Sequence, residues 1–251
     1  LNIEDIKPSS RRYPALIFEQ EREAGDQILN IENLSYSIGD SVLFSNINLN
    51  LAKGDKLIVY SKDSRAVTAF YEIVNGKFVP EQGKVEWGVT TNNAYLPLDH
   101  DSYFENNFSL VDWLRQFAKT EEEREEVFIR GFLGKMLFSG EEALKTCNVL
   151  SGGEKVRCML SKMMMERANV LLLNEPTNHL DLESITAFNN SLNNFKGTLL
   201  CSTSDHAFSQ SLGTRIVELT PSGVIDRHML FDEYMTDPKI KELRSKLTSG
   251  A

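Results

Sequence analysis

The chain has 251 residues, enough to bury one substantial core, and its 41% apolar and 25% charged residues exclude a disordered chain. A net charge of −9 argues against a broadly basic surface that tracks nucleic acid by itself. No apolar run approaches the roughly 20 residues of a membrane helix and no signal-peptide pattern is present, so the expectation is a soluble, cytoplasmic protein with no membrane partner. Cys147, Cys158 and Cys201 are odd in number and form no CxxC pair. That predicts three buried thiols rather than a disulfide framework or a zinc site.

Residues 1–25 are polar and charged, carry Pro8, Pro14, Arg11 and Arg12, and show no sustained period. They read as a linker tail on the surface, with the arginine pair solvated or set against RNA phosphate. Residues 28–38 alternate as a strand, Gly39 and Asp40 turn the chain, and 42–51 return it. Gly54 and Asp55 lead into a short buried strand, 56–60, and a helix is predicted over 67–74. Between them lies Ser61-Lys62-Asp63-Ser64-Arg65-Ala66-Val67-Thr68, in itself a plain strand-to-helix connection. Short strands follow at 83–88, around Trp87, and 93–97.

From 104 to 148 the pattern is helical, with Leu110, Val111, Leu114 and Phe117 on one apolar face and Phe128, Ile129, Phe132, Leu133 and Leu137 on another. The acidic run from Glu121 to Glu126 is a solvated helix face rather than a metal site. Residues 149–184 hold two chemical devices about 23 residues apart. The first is Leu150-Ser151-Gly152-Gly153-Glu154 before an amphipathic helix, 155–167. Its free amides at the positive end of a helix make an anion site, and the alternative is an ordinary capping box of Ser151 and Glu154. The second is the apolar strand 169–174, ending in Asn174-Glu175-Pro176, where an open α/β sheet binds ligands. Glu175 there can orient or deprotonate a water, or simply cap the next turn.

A helix over 182–195, a strand over 198–203, strands near 215–219 and 224–228 and a polar helix over 234–247 complete the chain. Met163, Met164 and Met165 read as core filler.

LSGGE, LLLNEP and NHLD together resemble the signature, Walker B strand and D-loop of the ABC-type ATPases. EPTNHLD, with IKPSSRRYP, WGVTTNNAY, VDWLRQ and RGFLGKMLFSGEE, is similar to the second half of YbiT-like members of the soluble ABC-F branch, over nearly the whole chain. The resemblance implies an α/β fold of the P-loop NTPase type, with a mostly parallel core sheet, an antiparallel β subdomain and a helical signature subdomain at about 99–150. It also implies a linker at 1–25, an ABC domain at 26–251, and ATP with Mg²⁺ as cofactors. Beginning at Leu1 rather than Met, the chain resembles an excised C-terminal half.

Against that pattern several positions depart. The loop from Ser61 to Thr68 stands where the family has GxxxxGK[ST], yet it contains no glycine, and Val67 replaces the phosphate-binding Lys. A unit charge at 4 Å is worth about 4 kcal/mol at an effective dielectric of about 20, or roughly a thousandfold in affinity. Arg65 or Lys62 are the candidates to compensate, and Thr68 retains a hydroxyl for Mg²⁺. Leu98 replaces the Gln that senses water and metal, Asn174 the metal-linked Asp, and Ser204 the switch His, with His206 two residues late. Ile38 stands at the adenine-stacking position, with Tyr36 on the same strand face as a substitute.

The features an ABC domain offers across a dimer survive: Ser151, Gly152, Gly153, Glu154 and Asp181. The expectation is a degenerate own site, with Glu175 idle, and donation of the signature to the ATP of an N-terminal ABC domain of the same protein. The family places such a protein on the ribosome; the isolated chain is also a candidate homodimer. The alternatives are a domain that keeps its own ATP binding and hydrolysis through Arg65, Thr68 and Glu175, and an ATP-binding subunit of a membrane transporter.

Overall fold

The computed structural model describes residues 13–249; Arg11 and Arg12 lie outside them. Two sheets organise the described residues. The first is antiparallel, in the order β2-β1-β4, from β1 (Gln27–Ile38), β2 (Ser41–Ala52) and β4 (Gln82–Trp87). The second has the order β5-β6-β7-β3-β8-β9, from β3 (Lys56–Tyr60), β5 (Asn93–Leu96), β6 (Val170–Asn174), β7 (Thr198–Ser202), β8 (Arg215–Thr220) and β9 (Gly223–Arg227). Its pairings are parallel except for β8 with β9.

Alternation along the parallel strands explains how one sheet serves two cores. Leu171, Leu173, Leu199, Cys201 and Ile58 face one side, where the helical residues Trp113, Leu133, Met159 and Phe188 pack. Leu172, Leu200, Leu57 and Val59 face the other, against Phe70, Ile73 and the three-stranded sheet.

Helix α1 (Ser64–Val74) leads from β3 of the second sheet back to β4 of the first. The block predicted as helical is broken into α2 (Leu110–Arg115), α3 (Glu121–Arg124) and α4 (Glu126–Lys135), with single 3-10 turns around them. Buried Trp113 holds it together, stacking on Phe104 at 4.8 Å and donating its indole N–H to Tyr103 at 2.7 Å. No side chain of α3 is buried, as its acidic run requires.

Then come α5 (Gly152–Glu166), α6 (Leu182–Asn194), α7 (His206–Leu212), α8 (Phe231–Thr236) and α9 (Pro238–Ser249). The single terminal helix expected over 234–247 is two, because Pro238 supplies no amide to continue α8. α9 is fastened by a buried network: Arg244 donates its Nε to both oxygens of Glu218 at 2.6 and 2.9 Å, and Tyr234 donates its hydroxyl at 2.6 Å.

Within the stretch read as a surface tail, residues 13–19 alternate between exposed and buried. Leu16 and Phe18 are buried in the helical-side core, Ala15 N–H donates to Lys135 at 2.7 Å, and Glu21 N–H to Arg167 at 2.9 Å. The three cysteines are free and buried. Among the described residues no helix is long and apolar enough to cross a membrane.

Candidate functional site

The carboxyl ends of β3, β6 and β7, adjacent in the sheet, bring together the loop after Tyr60, the Asn174 and Glu175 pair, and Ser204. Just three residues, Ser61, Lys62 and Asp63, join β3 to α1, because the helix begins at Ser64 rather than at 67. Five of the eight residues expected to form the loop are therefore helical, and the Arg65 and Ala66 amides already donate to Asp63, each at 3.0 Å, instead of curling round an anion. Asp63 explains the early start: its carboxylate accepts the Arg65 amide at 3.0 Å as the helix cap. An Asp before the first helical residue is a sequence signal of that boundary.

Arg65 is drawn back on this cap. Its guanidinium donates to Asp63 at 2.8 to 3.2 Å and to the Ser41 hydroxyl at 3.3 Å. The Arg65 side chain holds the Asp63 carboxyl below its usual pKa. Val67, where the family has Lys, is 8% exposed and belongs to the core beneath the three-stranded sheet.

At the end of β6 the buried Asn174 amide spans two hydroxyls, donating to Thr68 at 3.4 Å and accepting from Ser202 at 3.1 Å. Mg²⁺ takes oxygen ligands and a carboxylate. Thr68 instead faces a neutral amide that already occupies it, so these residues do not fit the metal. Leu98, 44% exposed, offers no polar group there.

Glu175 adopts a left-handed conformation, φ 51°, and its backbone N–H donates to Ser202 at 2.8 Å. Its Oε2 accepts both the amide and the hydroxyl of Ser204, at 3.0 and 3.1 Å. His206 faces away, paired with Asp232 and edge-on to Phe231 at 5.0 Å. Tyr36 stacks on Phe78 at 6.0 Å, while Ile38 is 47% exposed.

The signature lies at the start of α5 and is a capping box: Glu154 N–H donates to the Ser151 hydroxyl at 3.3 Å, and Ser151 N–H to the Glu154 carboxylate at 2.9 Å. The Ser151 amide, and then Lys145 at 2.9 Å, lower the Glu154 pKa to about 2. Both glycines lie against the turn that follows β6. Asp181 closes that turn by capping α6, accepting Ser184 N–H at 2.7 Å, and this bond lowers its pKa.

A family model described as ABC transporter matches residues 44–178, more than half of the chain. The chain is an ATP-binding domain of the ABC family. This ABC domain is 47% identical over 98% of its length to YkpA of Bacillus subtilis, an uncharacterized ABC transporter ATP-binding protein, and covers 46% of that protein. It is 36% identical over 96% of its length to the probable ATP-binding protein YbiT of Escherichia coli O157:H7, covering 45% of it. ABC transporter F family member 5 of Arabidopsis thaliana is 26% identical over 94% of the chain, which covers 34% of that protein. The ABC domain thus spans about half the length, or less, of these relatives.

Its fold matches a putative metal-chelate type ABC transporter in an inward-facing conformation, with TM-score 0.69 at 18% identity over 88% of this chain and 90% of that one. A dimeric ATP-binding cassette in a post-hydrolysis state, bound to ADP and Pi, matches with TM-score 0.64 at 16% identity over 80% and 99%. The expected α/β architecture, with mostly parallel core and antiparallel β part, is the one observed.

Proposed function

We propose that this ABC domain is the C-terminal ATP-binding half of a soluble ABC-F protein, residues 26–251 being the domain and 1–25 its linker. Its own nucleotide site is degenerate, and it donates Ser151, Gly152, Gly153 and Glu154, with Asp181 nearby, to ATP and Mg²⁺ held by an N-terminal ABC domain of the same protein. The carrying observation is an asymmetry in one chain. The signature turn is intact and partly exposed, whereas Val67 is buried in the core and Asn174 is bonded to Thr68. Closure of the two domains on ATP is the mechanical step and hydrolysis reopens them.

The relatives named YbiT and F family member 5 support the ABC-F assignment, and a cytoplasmic protein acting on the ribosome in translation control follows from that branch. One relative, of Escherichia coli K12, is named energy-dependent translational throttle protein EttA, at 27% identity.

Titration calorimetry of this chain with Mg-ATP tests the reading. No heat is expected up to about millimolar ATP, and binding in the range of about 1–100 μM overturns it in favour of a domain with its own ATPase.

A further inference from the structure

The two glycines of the signature have a neighbour that the anion-site reading does not require. A Cβ on Gly152 would lie 3.1 Å from Cγ and 3.2 Å from Nδ1 of His179, and a Cβ on Gly153 would lie 2.7 Å from the His179 carbonyl oxygen. Contact within the chain demands glycine at 153, where the clash is with backbone oxygen, and crowds any side chain at 152 against the imidazole, whether or not a phosphate approaches. His179 itself is left-handed, φ 65°, a conformation an L residue holds at a cost and that the surroundings must impose. Its imidazole makes no hydrogen bond to another described residue, so it acts through shape.

Three segments converge there. His179 sits between Glu175, at the end of β6, and Asp181, the cap of α6. Lys155, in the first turn of α5, reaches Asp101 at 2.7 Å.

We infer that His179 is the positioning residue of the signature turn: its ring and carbonyl form the shelf on which Gly152 and Gly153 seat, locking the start of α5 to the turn after β6. The direction in which the α5 amides face a phosphate is then set by His179, and Ser151 and Asp181 move as one body. The catalytic consequence rests on the signature-donor reading proposed above; the shelf itself does not.

The test is a set of variants read in two ways. In melting experiments on this chain, Gly152→Ala lowers the melting temperature and His179→Ala, by removing Cγ and Nδ1, restores part of the loss in the double variant. Gly153→Ala is not suppressed, because its clash is with backbone oxygen. In the longer protein with both ATP-binding domains, His179→Ala lowers kcat about tenfold with KM within about twofold. His179→Asn, which keeps a planar branch at Cγ and tolerates the left-handed backbone, retains at least about half of kcat. An additive melting cycle overturns the shelf. A kcat insensitive to His179→Ala but sensitive to Ser151→Ala overturns the positioning role. Insensitivity to both sinks the donor reading instead, and the melting cycle still decides the shelf.

Discussion

The Glu175 carboxylate is held by Ser204, whose amide and hydroxyl both donate to Oε2 at 3.0 and 3.1 Å. A group poised to activate water is instead fixed between the ends of β6 and β7, and the residue at the switch position fixes it. In the two-domain protein that the proposed function implies, Glu175→Gln is expected to leave ATP turnover within about twofold of the parent. In this chain the same change weakens the bonds from Ser204 and lowers stability by about 1 kcal/mol, read by urea unfolding.

Val67→Lys replaces the missing cation and is expected to bring no ATP binding by calorimetry. The side chain starts from a buried position, and the surrounding residues are helical rather than looped. Its charge must leave the core, so stability falls by about 1–3 kcal/mol.

Asp63→Ala removes the cap of α1 and the partner of Arg65 in one step. A loss of about 1 kcal/mol in denaturant unfolding is expected. Asp63→Asn, whose oxygen still accepts an amide, recovers most of it.

The capping box at the signature has a pH signature of its own. Because the folded Glu154 pKa, about 2, lies below its ordinary 4.5, the stability it contributes is present above about pH 4.5 and is lost as pH falls toward 2. Glu154→Gln keeps the box geometry without the charge. Its stability deficit, about 1 kcal/mol at pH 7, should shrink across that window in paired urea titrations.

Arg244→Ala leaves the Glu218 carboxylate, 1% exposed, without its cation, and is expected to cost about 3–5 kcal/mol. Arg244→Met with Glu218→Leu, read by the same unfolding, recovers much of that because no charge is stranded.

The fold was readable where pattern and period coincide. The apolar run through Leu171, Leu172 and Leu173 announces a strand buried on both faces, and the alternation around Ile28 and Ile31 announces one of an antiparallel pair. The strap at 13–25 escaped because its alternation is brief and Leu16 and Phe18 are its main apolar marks. α7 escaped because seven residues give barely two turns of periodicity. At the site, the substitutions Val67, Asn174 and Ser204 were legible one by one. Their mutual bonds were not, since Asn174 with Thr68 spans 106 positions and Ser204 with Glu175 spans 29. Gly152 and Gly153 misled in part: the turn they form was visible, and the His179 ring and carbonyl that crowd them were not.

Ala15 and Glu21 hang the strap from the carboxyl ends of α4 and α5, with Leu16 and Phe18 driven between helices and sheet. The strap is therefore anchored to those two helix ends rather than to the strands. From the second of them α5 runs unbroken from Glu166 back to Gly152, and so to the turn at Ser151. The strap before the first strand and the turn at Ser151 thus hold opposite ends of one helix.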